Sequence, residues 1–219
     1  MSQLIDLSHT ISDGMITYKG LPAPIICDYL SREDSMKNYG NGASFQIGKI
    51  EMVSNTGTYI DCPFHRYENG KDLSEFGLGS FVDLPAVKVQ VSHKESLSVD
   101  ISAFEGLDLK GKAVLIQTDW SDYWGTDAYF ENHAFLSEEA AEFLKDSGVV
   151  LVGIDSHNID DTRTNTRPIH TLLLGAEILI VEHMTNLAQL PSSGFTFSAV
   201  PPKIKGMGTF PVRAFAKID

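Results

Sequence analysis

Between residues 81 and 92 apolar and polar side chains alternate, with Val87, Val89 and Val91 set between Lys88, Gln90 and Ser92. That period of two predicts a strand with one buried face. Ala113 to Gln117 is a short apolar run after the turn Lys110-Gly111, and Val149 to Ile154 is apolar throughout, as in strands buried on both faces of a parallel sheet. Between these runs, Ser137 is a candidate N-cap, Glu138 and Glu139 follow where a helix dipole favours acids, and Gly148 closes the helix. A further helix through Leu172–Leu174 leads past Gly175 into a strand over Ile178–Glu182. Strand–helix–strand order implies right-handed crossovers and a parallel core sheet. Ligands then gather beyond the carboxyl ends of the strands, where Asp155 and Glu182 fall. Residues 1–50 are rich in Gly and Pro, which predicts loops and short strands. With no repeat, low-complexity tract or linker, residues 1–219 are expected to form a single α/β domain, a mixed sheet with flanking helices.

The chemistry concentrates in Ser54-Asn55-Thr56-Gly57-Thr58-Tyr59-Ile60-Asp61-Cys62-Pro63-Phe64-His65. If residues 47–61 are one strand, Asn55, Gly57, Tyr59 and Asp61 share a face. Gly57 leaves room beside the backbone, Pro63 ends the ladder, and His65 lies just past it near Asp61. An ordinary strand and turn would read the same way.

Charge narrows the partners. The 219 residues carry 17 basic and 29 acidic side chains, a net charge of −12. Without a Lys/Arg cluster such a chain repels phosphate backbones, so no nucleic-acid partner is expected. The two cysteines, Cys27 and Cys62, fit neither a disulfide framework nor a metal finger and read as reduced thiols. The first residues lack the basic and apolar segments of a signal peptide, and no apolar run approaches the ~20 residues of a membrane helix. The expectation is a cytoplasmic protein without membrane contact.

The 54–65 segment resembles the signature of the cyclase/kynurenine formamidase family of metal-dependent hydrolases: His, three residues, His, one residue, Asp, one residue, Pro, one residue, His. Asn55, Tyr59, Asp61, Pro63 and His65 occupy those positions here, and Thr56-Gly57-Thr58 matches the spacer. Further pieces follow in order. Asp6-Leu7-Ser8-His9 with Gly14-Met15 resembles the family's opening, and Thr118 with Trp120 its central Thr-Gly-Trp. Gly153-Ile154-Asp155, His170 with Leu173-Leu174, Ile180-Val181-Glu182 with Thr185-Asn186-Leu187, and Pro211-Val212-Arg213-Ala214 complete the likeness.

The resemblance implies a swivelling β/β/α architecture, a homodimer or higher homo-oligomer, and a metal site. Of the five positions that ligate metal in the family, Asp61, His170 and Glu182 are retained, while Asn55 and Tyr59 replace imidazoles. Asn and neutral Tyr are poor zinc ligands, so the expectation is one divalent ion, zinc or manganese, or none. His65 matches the family's general acid/base. Tyr59 is expected to donate to the substrate or its oxyanion, and Asn55, Trp120, His157 and Arg167 to contact the substrate. His157 could also supplement the metal ligands, whereas His183 should face away from its neighbour Glu182. His9, His93 and His133 read as surface or capping residues, and Arg163 and Arg167 either hold a carboxylate bidentately or belong to a solvated loop. Trp120, Tyr123, Trp124 and Phe130 fit either an aromatic wall or core packing. The leading expectation is hydrolysis of an amide-like or lactone bond in a small molecule. Two alternatives are a metal-free acid/base enzyme (an isomerase or dehydratase using Tyr59, His65 and Glu182) and a non-catalytic small-molecule binding protein.

Overall fold

A computed structural model describes residues 2–39 and 42–219. Its strands are β1 (Gln3–Asp6), β2 (Ile25–Leu30), β3 (Ile47–Glu51), β4 (Tyr59–Asp61), β5 (Leu84–Gln90), β6 (Ser98–Val99) and β7 (Ala113–Gln117). They continue as β8 (Phe135–Leu136), β9 (Leu151–Ile154), β10 (Leu179–Glu182), β11 (Ser193–Ser198), β12 (Thr209–Pro211) and β13 (Phe215–Ile218). The helices are α1 (Arg32–Asn38), α2 (Glu138–Asp146) and α3 (Pro168–Gly175).

Nine strands form one mixed sheet in the order β1-β13-β11-β5-β7-β9-β10-β4-β12. Its centre, β5-β7-β9-β10, is parallel, and both flanks are antiparallel. Successive residues of the central strands feed two separate cores. Val114, Ile116, Val152 and Ile154 pack with Ala140, Leu144 and Leu173 of the helices. Leu115, Leu151 and Val181 instead meet Ile5, Ile60, Phe195 and Phe197 from both flanks. Strands from opposite ends of the order thus share one core, and the sheet is curled. The expected α/β mixed architecture is present.

The helix expected from Ser137 forms as read, with Ser137 Oγ accepting from the Ala140 N–H at 3.2 Å. The N-terminal segment holds a helix that its Gly and Pro content did not predict: α1, capped by Ser31 Oγ on the Asp34 N–H at 3.0 Å. The larger correction concerns residues 47–61, which are not one strand. β3 pairs with β2 in a separate ribbon, while β4 joins the main sheet. Between them Gly57 takes φ +66°, a left-handed conformation that breaks the extended path. Its N–H donates to Thr17 Oγ1 at 2.9 Å, and Ile11 Cγ1 lies 2.7 Å from where a Cβ would stand. Thr56 and Thr58 hold the turn by donating to the Val53 and His183 carbonyls at 2.7 and 2.6 Å.

The register of β4 assembles polar side chains. Tyr59 lies opposite Glu182 of β10, and Asp61 opposite Thr209 of β12. Gly208, just before β12, passes so close that a Cβ there would stand 2.5 Å from His65 Cα. Because the collision is with backbone, Gly208→Ala must push the 63–65 turn away from β12. We expect a loss of roughly 1–3 kcal/mol, the usual cost of overpacking a tight contact, measured by urea denaturation. An unchanged midpoint would show that the two segments separate freely.

Candidate active site

Each side chain of the site has an identifiable support. Asp61 and Glu182 are fully buried on the paired strands β4 and β10. His170 comes from the first turn of α3, whose N-terminus begins with Pro168 and has no cap from the Arg167 side chain. Asp160 supplies that cap from a distance. It accepts from the Ile169 and His170 N–H groups at 2.7 and 3.1 Å and from His170 Nδ1 at 2.5 Å. With Nδ1 so engaged, His170 Nε2 points between Asp61 Oδ2 and Glu182 Oε1, at 3.6 Å from each. Burial opposes charge on this imidazole, but Glu182, Asp160 and Asp61 together outweigh it and raise its pKa. Burial and the Asp61 charge raise Glu182 in turn, against the pull of His170.

His65 stands at the cavity wall with its side chain 34% exposed. Thr209 joins it to Asp61: the Thr209 hydroxyl donates to Asp61 Oδ1 and lies 2.8 Å from His65 Nδ1. A hydroxyl has one proton, and an ionised carboxylate only accepts. Thr209 Oγ1 therefore accepts from His65 Nδ1–H, which leaves the lone pair of neutral His65 on Nε2.

The donor set fits a cation. Asp61, His65 and His170 each offer a ligand atom within 4.8 Å of the others, and Glu182 approaches the same His170 nitrogen. Asp61 Oδ2 is buried with no hydrogen-bond partner among the described residues. A carboxylate on the remote nitrogen of a histidine, as Asp160 provides, is also the usual outer support of a metal-ligating imidazole.

A cavity of about 430 Å³ opens over this cluster, lined by Tyr59, His65, His170 and Glu182 together with Asn55 and Arg167. Six of the residues read from the sequence thus meet here, although Asn55 arrives on the turn rather than on a strand face. Asp61 lies directly behind. Tyr59 departs from expectation: its phenol donates to Glu182 Oε2 at 2.6 Å. Burial, then the Glu182 and Asp61 charges, keep that phenol protonated by raising its pKa well above 10.

Trp120 and His157 do not line the cavity. Trp120 is buried, with its indole N–H on the Tyr129 carbonyl at 3.0 Å and its rings against His93 and Tyr123. His157 packs among Tyr18, Tyr129, Phe130, His133 and His183. His133 is buried rather than on the surface, and His9 stacks on Trp124 at 3.9 Å. His183 does face away from Glu182, into this aromatic cluster, where the Tyr129 hydroxyl meets its Nδ1 at 2.8 Å. Tyr123, Trp124 and Phe130 are half-buried and pack against His93, His9 and His157 respectively. Arg163 pairs with Asp161 at 2.8 Å in the exposed loop.

Asp160 and Thr209 are the site residues that sequence reasoning missed. Asp160 had one legible signal, an acid upstream of a proline-initiated helix lacking its own cap; Thr209 had none.

A family model described as "Putative cyclase" matches residues 5–161. This chain belongs to the cyclase family of hydrolases. Among curated cyclase relatives, the kynurenine formamidase of Bacillus cytotoxicus is 29% identical over 217 residues, 99% of this chain and 98% of that protein. That of Geobacillus thermodenitrificans is 28% identical over 178 residues, covering 81% and 82%. Solved structures share the cyclase fold. Isatin hydrolase A from Ralstonia solanacearum superposes with a TM-score of 0.83 at 24% identity, covering 100% of this chain and 92% of that one. A structure described as a potential metal-dependent hydrolase with cyclase activity gives 0.81 at 24%, covering 100% and 99%. No helix among the described residues is long and apolar enough to cross a membrane.

Two predictions follow from this packing. Asp160→Ala strands three buried donors, so it should destabilise by about 3 kcal/mol, and Asp160→Asn, which keeps one acceptor oxygen, by less. Equal urea midpoints for both variants and wild type would remove Asp160 as the support of α3. Separately, burial lowers the His157 pKa from 6.5 to about 3. The unfolded chain therefore binds a proton below pH 6.5 that the folded chain refuses, and stability falls as pH drops. Each pH unit costs ~1.4 kcal/mol, so wild type should lose about 2 kcal/mol by pH 5 that His157→Phe retains. Parallel stability–pH curves for the two proteins would refute this.

Proposed function

We propose that this cyclase-family chain hydrolyses an amide-like or lactone bond in a small molecule, in the manner of its kynurenine formamidase relatives. The observation that carries the reading is the convergence of His170 and Glu182 in the wall of a cavity, and of Asp61 just behind it, beside His65 Nε2. Asp61, His170 and Glu182 would hold one divalent ion, zinc or manganese. Such an ion supplies positive charge that eases deprotonation of water and stabilises a developing oxyanion.

The chain's own residues do the rest. His65 Nε2 takes a proton from the attacking water while Thr209 and Asp61 hold its other nitrogen and set the tautomer. The water oxygen bonds to the carbonyl carbon, the C–N or C–O bond breaks, and His65 delivers the proton to the departing heteroatom. The products are a carboxylate and an amine or alcohol. Tyr59, whose hydroxyl already donates a hydrogen bond to Glu182, orients the Glu182 carboxylate rather than the substrate. Asn55 and Arg167 contact the substrate.

A second reading is favoured by the Tyr59–Glu182 bond itself: a buried phenol–carboxylate pair is a ready acid/base couple, and an isomerase or dehydratase would use it without metal. Metal dependence separates the two. A homodimer or larger homo-oligomer is supported by the β2–β3 ribbon, on which Ile25, Ile26, Tyr29, Ile47 and Ile50 are all exposed. Two-stranded ribbons are marginal alone in water. The thiols Cys27 and Cys62 are both free and suit the reducing cytoplasm.

The test is hydrolysis of N-formylanilines and aryl lactones by wild type and His65→Ala, with elemental analysis and chelation. We expect His65→Ala to lower kcat by roughly 10²–10⁴-fold, with its melting temperature retained. Chelation should abolish turnover, and zinc or manganese should restore it. Full activity in His65→Ala would remove it as the base; turnover in chelated, ion-free protein would favour the second reading.

A further inference from the structure

Several polar hydrogens in the cavity beside His65 are already committed. The Tyr59 phenol donates to Glu182, and the Lys19 ammonium lies within 3.8 and 3.5 Å of Asp127 and Glu131. Two neutral donors of the same lining differ, those of Tyr18 and Asn55. The Tyr18 oxygen accepts from Asn158 Nδ2 at 3.2 Å, and its own proton meets no acceptor among the described residues. Asn55 Oδ1 accepts from Ser54 Oγ at 3.2 Å, which makes Nδ2 the free end of the carboxamide. Its hydrogens also meet no acceptor among the described residues.

The fold brings these two donors together and holds them. Thr17 is buried, and its hydroxyl accepts from the Gly57 N–H at 2.9 Å. That bond ties the segment carrying Tyr18 to the turn carrying Asn55. Thr58, on the same turn, donates to the His183 carbonyl at 2.6 Å, next to Glu182. The Tyr18 ring lies on His157 with centroids 4.3 Å apart. Asn158, which holds the phenol oxygen, is buried, and its Oδ1 accepts from the Asp160 N–H at 2.9 Å. Asp160 also grips His170 Nδ1, so one residue sets the acid cluster and, through Asn158, the Tyr18 phenol. Burial and the Glu182 charge push the Tyr18 pKa up to about 12, against the pull of Arg167 and Asn158. The phenol therefore keeps its proton at neutral pH.

Fixed donors without acceptors suit an oxygen on which negative charge grows, because they need no rearrangement when it does. We propose that Tyr18 Oη–H and Asn55 Nδ2–H form an oxyanion hole, which makes both of them catalytic residues; the inference rests on the hydrolase reading. As the water oxygen bonds to the scissile carbonyl carbon, the carbonyl π pair moves onto its oxygen, and the two donors bind that oxygen. The pair returns when the C–N or C–O bond breaks. The role expected of Tyr59 thus passes to Tyr18, whose proton is free. At position 55 the carboxamide offers hydrogens where an imidazole ligand would offer a lone pair.

The experiment measures kcat and KM on an N-formylaniline and an aryl lactone for wild type, Tyr18→Phe and Asn55→Ala. We expect each variant to lose roughly 10²-fold in kcat with KM little changed, the mark of an interaction made only in the transition state. Tyr18→Phe also strands the Asn158 amide, whereas Asn55→Ala breaks only the Ser54 bond, so its kcat tests the proposal even if Tyr18→Phe fails to fold. A second arm needs no turnover: calorimetric titration of phenyl methylphosphonate, which is tetrahedral and anionic, against phenylacetamide, which is planar and neutral. Each variant should bind the phosphonate at least about tenfold more weakly than wild type and phenylacetamide equally well. Donor-dependent phosphonate binding without hydrolysis of either substrate would defeat the proposed function and leave the pair as a site for a tetrahedral oxyanion. Turnover by wild type with kcat unchanged in both variants, whatever happens to KM, would overturn the inference and leave the proposed function standing. A phosphonate that fails to bind, or binds all three proteins equally, would overturn it as well.

Discussion

Three buried carboxylates, those of Asp61, Asp160 and Glu182, converge on one imidazole, His170. Burying that much like charge is costly unless every oxygen is compensated. Two of the three are well supplied. Asp160 takes the first amides of α3 and His170 Nδ1, and Glu182 takes the Tyr59 phenol and the Ile159 N–H at 2.6 Å. Asp61 has the Thr209 hydroxyl on one oxygen and, among the described residues, no hydrogen-bond partner on the other, which lies 3.6 Å from His170 Nε2. Much of the surrounding architecture reads as the means of holding this cluster. β4 is wedged between β10 and β12, α3 starts over the carboxylates, and glycine at 208 lets the His65 turn close in. The uncompensated oxygen lies where a positive charge would complete the account.

How much of this was legible in the sequence depended on whether the forces were local. The parallel core was readable because alternation and unbroken apolar runs are properties of short segments, and β5, β7, β9 and β10 lie close to where they were expected. The helix after Ser137 was equally local, fixed by cap, acids and glycine. The 47–61 segment was misread as one strand because its alternate positions Asn55, Gly57, Tyr59 and Asp61 suit a strand face, whereas the break at Gly57 is held by distant partners, Thr17 and Ile11. Spacing and likeness pointed to Asp61, His65, His170 and Glu182, which the fold brings together. Thr209 was not, since only the pairing of β12 with β4 brings it to Asp61. The Tyr59 contact with Glu182 was not legible, because strand register sets it.

Behind the acidic site lies a wall of the opposite kind. His157 and His183 are buried and His9 half-buried among aromatic rings, and desolvation holds all three pKa values far below the ordinary histidine value, at about 4 for His9 and about 3 for His157. They are neutral at physiological pH and behave as flat, weakly polar packing units. Only His170 and His65, tied to carboxylates directly or through Thr209, take part in the polar network. The same side chain thus serves two physical roles a few ångströms apart, divided by whether an acid is within reach.

The shortness of β12 limits how copies of this chain can associate. It is the outermost strand on the side of the site, only Thr209–Pro211 long, and Pro211 has no N–H to offer an incoming strand. Sheet extension past the site is thereby discouraged, and a neighbour cannot add a strand there without meeting a backbone that donates too few bonds. The catalytic edge is sealed against fibre-like growth. The opposite margin at β1, where Leu4 is 65% exposed, and the apolar β2–β3 ribbon carry no such proline. An enzyme that must keep one side of its sheet open to solute has a reason to end that side on a proline.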